Sequence, residues 1–350
     1  MMHTADLRQR YEQAGFSLVE LMVAVTIGLI VLMALSGLFL SSNRASVEMR
    51  KSTQQQESGR YASQLLSDDL MMAGYLAEFD SSPLTTPADP LPNACDTKRA
   101  DLLTALPLHV QGVNDAATAI IPLCLSDVKA GTDIVVVRRA STCAAGVDGC
   151  AAFAAGMPYF QASLCMPTDG SGAELAHAIN NDADYAAHHF TLSDTADDFT
   201  KRKTNCTDVA SRERYLVHIY FIANNNEAGD GIPTLKLAEL EKGAGLEDGT
   251  FSIKPMVDGI ENMQIEYGVD TTNDGIPDIY TSAPAANVDW RNVMSARIHL
   301  LARNTVATQG FIDKRSYTLG DKVVAASNDG YKRHVYSTTV QFVNPSWRRQ

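Results

Sequence analysis

The residues with the clearest chemical use lie near the N-terminus, where Gly15-Phe16-Ser17-Leu18-Val19-Glu20 leads into an apolar run ending at Leu40. Glu20 is an ionisable group at the membrane end of that run, expensive there unless something pairs with it. Cleavage after Gly15 would supply a partner, a positive α-amino group on Phe16, within reach of Glu20 inside one helix or between neighbouring copies. A second set is six cysteines, Cys95, Cys124, Cys143, Cys150, Cys165 and Cys206, all beyond the apolar run. An even number there suits an oxidising compartment. With no Cys-x-x-Cys or Cys/His zinc spacing, disulfides are favoured over a metal site. Cys143 with Cys150 is the most local pair, closing a Gly- and Ala-rich loop, and the other pairings stay open.

A third set is the run from Asp270 to Thr281, which places oxygen ligands at alternating positions and resembles an EF-hand-like calcium loop. Asp270, Asp274 and Asp278 would be its first, fifth and ninth ligands, Gly275 its sharp turn, and the Ile276 carbonyl its seventh ligand. Thr272 and Thr281 stand where acids are usual, so a calcium ion here would be weakly held, and an Asx-rich turn is the plain alternative. His177, His188 and His189, among Asp182, Asp184, Asp194, Asp197 and Asp198, have no fixed spacing and read as a solvated loop. Asp230-Gly231-Ile232-Pro233 reads as a hairpin connection. No nucleophile elbow, phosphate loop or dinucleotide fingerprint occurs, so no enzyme is expected. The formal charge of -12 argues against a nucleic-acid footprint.

These residues need elements to position them. Leu21 to Leu40 carries no charge, and at about 1.5 Å per residue it matches a hydrocarbon core of about 30 Å. A secretory signal would have a shorter apolar core followed by a small-residue cleavage site, and a plain anchor leaves Glu20 unexplained. Arg44, Arg50, Lys51 and Arg60 beyond the run oppose the positive-inside rule; the cleavage motif and the cysteines decide the orientation instead. No proline lies between Phe16 and Ser82, so the helix continues as a stalk over 41–76. Tyr61, Leu65, Leu66, Leu70 and Met72 form an apolar face that packs on a globular domain. Gly37, Gly59 and Gly74 are its weak points, each costing about 1 kcal/mol against Ala in a helix interior. The proline-rich 80–92 reads as a connector. Strands are expected at Asp133–Arg139, Tyr215–Ile222, Met263–Val269, Val293–Ala302 and His334–Val343, several with the alternation of half-buried strands. Residues 144–205, with little periodicity, read as a disulfide-tethered loop and insertion. The fold class is α+β: leader 1–15, transmembrane helix 16–40, stalk 41–76, and a β-rich periplasmic head over 77–350.

The Gly15-Phe16 junction, the short polar leader with Arg8 and Arg10, and Glu20 before a long apolar helix resemble the class III signal of type IV prepilins. The resemblance implies that a prepilin peptidase cuts between Gly15 and Phe16, that Phe16 is then N-methylated, and that Glu20 serves assembly. Asp68-Asp69-Leu70-Met71-Met72-Ala73-Gly74-Tyr75, Gly231-Ile232-Pro233-Thr234-Leu235, Glu266-Tyr267-Gly268-Val269-Asp270, Ala296 to Arg303 and Tyr336-Ser337-Thr338-Thr339-Val340 are similar to the PilW family of minor pilins. That family implies a pilin-like fold and a single-pass inner-membrane protein. Incorporation into type IV pili, at or near the tip, would follow, with a part in priming their assembly. Its partners would be other minor pilins, the major pilin and the inner-membrane assembly machinery. A pseudopilin of a type II secretion system, and a pilus-tip adhesin or DNA-uptake subunit, are the alternatives.

Overall fold

The computed structural model describes Gly15 and residues 17–117, 121–165, 189–241, 243, 245, 247 and 249–349. Helix α1 covers Leu18–Met71, and the chain divides into two compact units between Ser52 and Thr53.

In the first unit the side chains from Leu18 to Leu40 are exposed. Among the described residues, α1 is the one helix long and apolar enough to cross a membrane by length and composition. Its hydroxyls are satisfied from within, Thr26 Oγ1 donating to the Met22 and Val23 carbonyls and Ser36 Oγ to that of Leu32. A buried hydroxyl without a partner would be costly in hydrocarbon. Helix persists through Gly37.

In the second unit the last turns of α1 enter the core. Ala62, Leu66 and Leu70 are wholly buried, one helical turn apart, whereas Tyr61 is 55 % exposed, so the apolar face is centred on alanine rather than tyrosine. Gly59 has a packing reason. A Cβ there would come within 2.1 Å of the Tyr336 ring, a distance no side chain tolerates. Gly74, at φ +71°, takes the left-handed conformation just beyond the helix, as a terminating glycine does.

The strands are β1 Val110–Val113, β2 Ile134–Ala144, β3 Tyr159–Ala162, β4 Phe190–Ser193, β5 Glu213–Ala223, β6 Thr234–Glu241 and β7 Thr250–Asp258, then β8 Ile260–Val269, β9 Ile279–Thr281, β10 Val293–Arg303, β11 Tyr317–Leu319, β12 Lys322–Val324 and β13 Arg333–Gln341. Short helices α2 (Arg99–Ala105), α3 (Asn287–Arg291) and α4 (Val343–Trp347) fall between or after them. The first seven strands form one sheet around β5, which pairs β2, β3 and β6. A second, antiparallel sheet has the order β13-β10-β8-β9.

Two cores follow from this arrangement. Val135, Val137, Tyr220 and Ile222 face one core with the end of α1 and with Ile265, Tyr267, Ile298 and Leu300 of the smaller sheet. Ile134, Val136, Ile219 and Phe221 face the other with Phe79, Phe160 and Phe190. Strands β2 and β5 are therefore buried on both faces along their central stretches, not half-buried, which is why Ile134–Val137 and Ile219–Ala223 run apolar without alternation. All five expected strands form.

The region 144–205 departs from its reading as loop and insertion. Strands β3 and β4 lie within it, every residue buried, and join the large sheet beside β5. Four-residue strands are too short for a periodic signal, so the sheet that receives them decides their state. Residues 166–188, with His177, His188, Asp182 and Asp184, lie outside the described residues.

The six cysteines pair as Cys95–Cys124, Cys143–Cys150 and Cys165–Cys206. Each closes a loop and restricts the unfolded chain, an effect worth about 2–4 kcal/mol in general. Full-length protein isolated without reductant is expected to take up no alkylating label on cysteine, and six labels after reduction. Labelling of the unreduced protein would overturn the pairing.

Candidate functional site

At the start of α1, Gly15 is exposed and nothing crowds it. Phe16 lies outside the described residues, so its amine is not placed against Glu20. What the structure does show is a reciprocal pair. The Ser17 N–H donates to Glu20 Oε2 at 3.0 Å, and the Glu20 N–H donates to Ser17 Oγ at 3.2 Å. This is a capping box, which satisfies two of the amides that a helix start leaves without partners. The Ser-x-x-Glu spacing is its sequence signature, beside the charge of Glu20. The carboxylate also sits at the positive end of the helix dipole, a favourable place for an anion.

At the other end of α1, Asp69 is 6 % exposed and takes three donors. Arg139 Nε and His218 Nδ1 each lie at 2.6 Å and the Tyr220 hydroxyl at 2.9 Å. Burial alone would raise the Asp69 pKa, but His218 and Arg139 pull it down to about 2. Burial likewise opposes charge on His218, yet Asp69 and Glu239 hold its pKa above the usual value. The helix is thereby tied to β2 and β5 by charge as well as by apolar packing. Asp69 belongs to the first of the family-like stretches, and its three partners lie in strands that sequence could not set beside it.

The loop after β8 closes on itself. Asp270, fully buried, accepts backbone N–H groups from Thr272, Asn273 and Gly275 at 3.1, 2.6 and 2.9 Å, and an Arg349 guanidinium at 3.1 Å. Asp278 accepts from the Thr271 and Thr272 amides, and Asp274 from that of Ile276. Burial would raise the Asp270 pKa, but the Gly275 amide and Arg349 lower it. Among the described residues no group of three or more His, Cys, Asp or Glu side chains is placed to hold a metal ion. Calcium at Asp270, Asp274, Ile276 and Asp278 is therefore proposed only as a weak ligand sharing Asp270 with Arg349. Millimolar calcium is expected to raise Tm by no more than about 2–4 °C, and Asp274→Ala to remove that rise. No shift at concentrations well above about 10⁻³ M would leave the self-contained turn.

The later family-like stretches come together in the smaller sheet. Tyr267 of β8 and Val340 of β13 both pair with Ala296 of β10, on its two sides. Gly231 to Leu235 forms the turn into β6, as the hairpin reading expected.

An apolar, membrane-length helix at the N-terminal end, followed by a β-rich head of α+β type, fits a type IV pilus-related pilin. Residues 10–36 match the prokaryotic N-terminal methylation motif. Residues 219–344, from within β5 to the start of α4, match the family model of type IV pilus-assembly protein W, PilW. Together the two matches support a PilW-type minor pilin. No curated protein and no solved structure gives a match. The signal and the apolar helix fit a membrane-anchored pilin, and the families found are structural components of pili that interact with other pilus components.

Proposed function

We infer that the chain is a minor pilin that enters type IV pili and helps to prime their assembly. Before assembly it sits in the inner membrane with its head in the periplasm; afterwards it lies at or near the pilus tip. The observation that carries this reading is a methylation motif leading into an uncharged, membrane-length helical segment, in the same chain as a region that matches PilW. Such a helix can leave lipid when neighbouring subunits bury it, so the membrane anchor becomes part of the fibre core. The major pilin, other minor pilins, the prepilin peptidase and the inner-membrane assembly machinery are the partners this requires. The PilW match favours a pilus over a secretion system.

Counting pili by electron microscopy in a strain lacking the chain tests the priming role, with few or no pili expected. Normal pilus numbers with lost attachment or DNA uptake would point to a tip adhesin or uptake subunit instead. Gly15→Val is expected to leave an unprocessed precursor by mass spectrometry, whereas Glu20→Ala should be processed yet poorly incorporated. Glu20→Gln separates the two roles of this residue, because glutamine keeps a capping-box partner for Ser17 while losing the charge. Normal incorporation of Glu20→Gln would sink the ion-pair account and leave capping as the role of Glu20.

A further inference from the structure

Ala296, Ile298 and Leu300 of β10 face the core, so the residues between them look out from the other face of the smaller sheet. On that face three neighbouring strands set Ser337 of β13, His299 of β10 and Glu266 of β8 side by side. Ser337 is directly opposite His299, and Glu266 is opposite Arg297, the outward residue before it. Ser337 Oγ lies 2.8 Å from His299 Nδ1, and His299 Nε2 lies 3.2 Å from Glu266 Oε2. A carboxylate can only accept, so Glu266 takes the Nε2–H of the neutral ring, and the Nδ1 lone pair is left to accept the Ser337 hydroxyl. That is the tautomer in which an imidazole draws a proton from serine while a third group orients the ring.

The surroundings suit a nucleophile. The Phe342 N–H donates to the Met294 carbonyl at 2.8 Å, so every second residue back along β13 bonds to β10 and Ser337 falls in the alternate set. Side chains approach more closely at such positions, and the Ser337 N–H points instead to the open edge, β13 being the last strand of its sheet. There it has no partner among the described residues, and it can donate to the oxygen of a carbonyl under attack. Gly320, at φ +62° in the turn between β11 and β12, lies against the other two residues. A Cβ there would come 3.2 Å from His299 Cδ2 and 3.3 Å from the Glu266 carboxyl carbon. The side chains of His299 and Glu266 are accordingly 15 % and 21 % exposed, while Ser337 stands open to solvent. The turn is itself held, by Ser282 Oγ donating to Asp321 at 2.8 Å and by Lys322 donating to the Gly131 carbonyl at 2.7 Å.

We propose that Ser337 is a nucleophile activated by His299, with Glu266 as the positioning residue, and that it accepts acyl groups from carboxylic esters. Ser337 Oγ bonds to the carbonyl carbon and its proton passes to His299 Nδ1. The bond from that carbon to the alcohol oxygen breaks, and the alcohol leaves with the proton from Nδ1. Water can then attack the acyl-serine by the same path, giving its proton to Nδ1, from which Ser337 recovers one as the carboxylic acid departs.

Full-length protein in detergent should be incubated with p-nitrophenyl acetate, with nitrophenolate followed by absorbance and acid-quenched samples mapped by mass spectrometry. Acetyl on Ser337 is expected, and Ser337→Ala should remove it. His299→Gln should slow acetylation about a hundredfold or more, the usual share of a general base. Glu266→Gln should slow it with an unchanged melting curve, and Glu266→Asp, which keeps a carboxylate, should recover part of the rate; a merely structural hydrogen bond would show neither. Thr339→Ala, at the next outward and exposed position of β13, should leave the rate as it is. Should His299→Gln fail to fold, the two Glu266 variants decide. Acetyl on other residues alone, a Ser337 rate untouched by His299→Gln or by Glu266→Gln, or an equal loss in Thr339→Ala overturns the proposal.

Discussion

Asp69→Ala is expected to destabilise the head by about 3–5 kcal/mol, the usual consequence of removing one partner from a buried ion pair. The substitution takes from Arg139 and His218 their closest carboxylate in a mostly buried place, and it leaves the Tyr220 hydroxyl without the acceptor it has at 2.9 Å. His218 would keep only Glu239, 3.8 Å away and already engaged by Lys254 at 2.8 Å and Arg214 at 3.1 Å. Because Asp69 ties the end of α1 to β2 and β5, the last helical turns should lose protection from hydrogen exchange first.

The pH dependence of this loss has a definite sign. Asp69 titrates at about 2 in the folded chain against an ordinary value of 3.8, so its contribution is present above about pH 4 and fades as pH falls toward 2. His218 is shifted upward from 6.5, so its contribution is complete below that value and fades as pH rises through the raised one. The gap between the unmutated protein and Asp69→Ala should be widest between about pH 4 and 6.5 and should narrow on both sides. Urea melts across that range measure it. A gap below about 1 kcal/mol at pH 5.5 would mean that the charges around Asp69 merely offset their own desolvation.

Arg333→Met should have an effect of similar size. The Arg333 side chain is 1 % exposed and holds Glu261, Asp329 and Asp313 around it, with distances of 2.7 Å to Asp329 and 3.5 Å to Asp313. A second cation, Lys129, reaches Glu261 only at 3.5 Å. Methionine fills much of the volume but removes the buried charge common to three carboxylates, so like charges are left facing one another around a buried position, again about 3–5 kcal/mol. Burial would raise the pKa of Glu261, but Arg333 and Lys129 hold it low, and Arg333 does the same for Asp329. In the unmutated protein these carboxylates stabilise the fold above their ordinary values and lose that effect in acid. The difference between Arg333→Met and the unmutated protein should therefore shrink below about pH 4. A pH-independent difference would assign the loss to packing rather than to charge.

The sequence by itself determined whatever depends on neighbours along the chain. Gly15, Glu20 and the apolar run to Leu40 are read along a line, since helix geometry turns spacing directly into position. The Ser17 and Glu20 capping box, three residues apart, is equally legible, because its Ser-x-x-Glu spacing places both partners on one helical turn. Strands β2, β5, β8, β10 and β13 announced themselves because long apolar or alternating runs have few other uses. Tertiary structure alone decided the rest. Asp69 and His218 are 149 residues apart, and Arg349 and Asp270 are 79. Strands β3 and β4 are too short to declare their own state and take it from β5. The partners of Cys95 and Cys165 were hidden for a related reason: a cysteine carries no label for its mate, and only the fold's closure of loops 29 and 41 residues long brings each pair together. Side-chain periodicity reports which face of an element is apolar, but it holds no information on which distant element that face will meet.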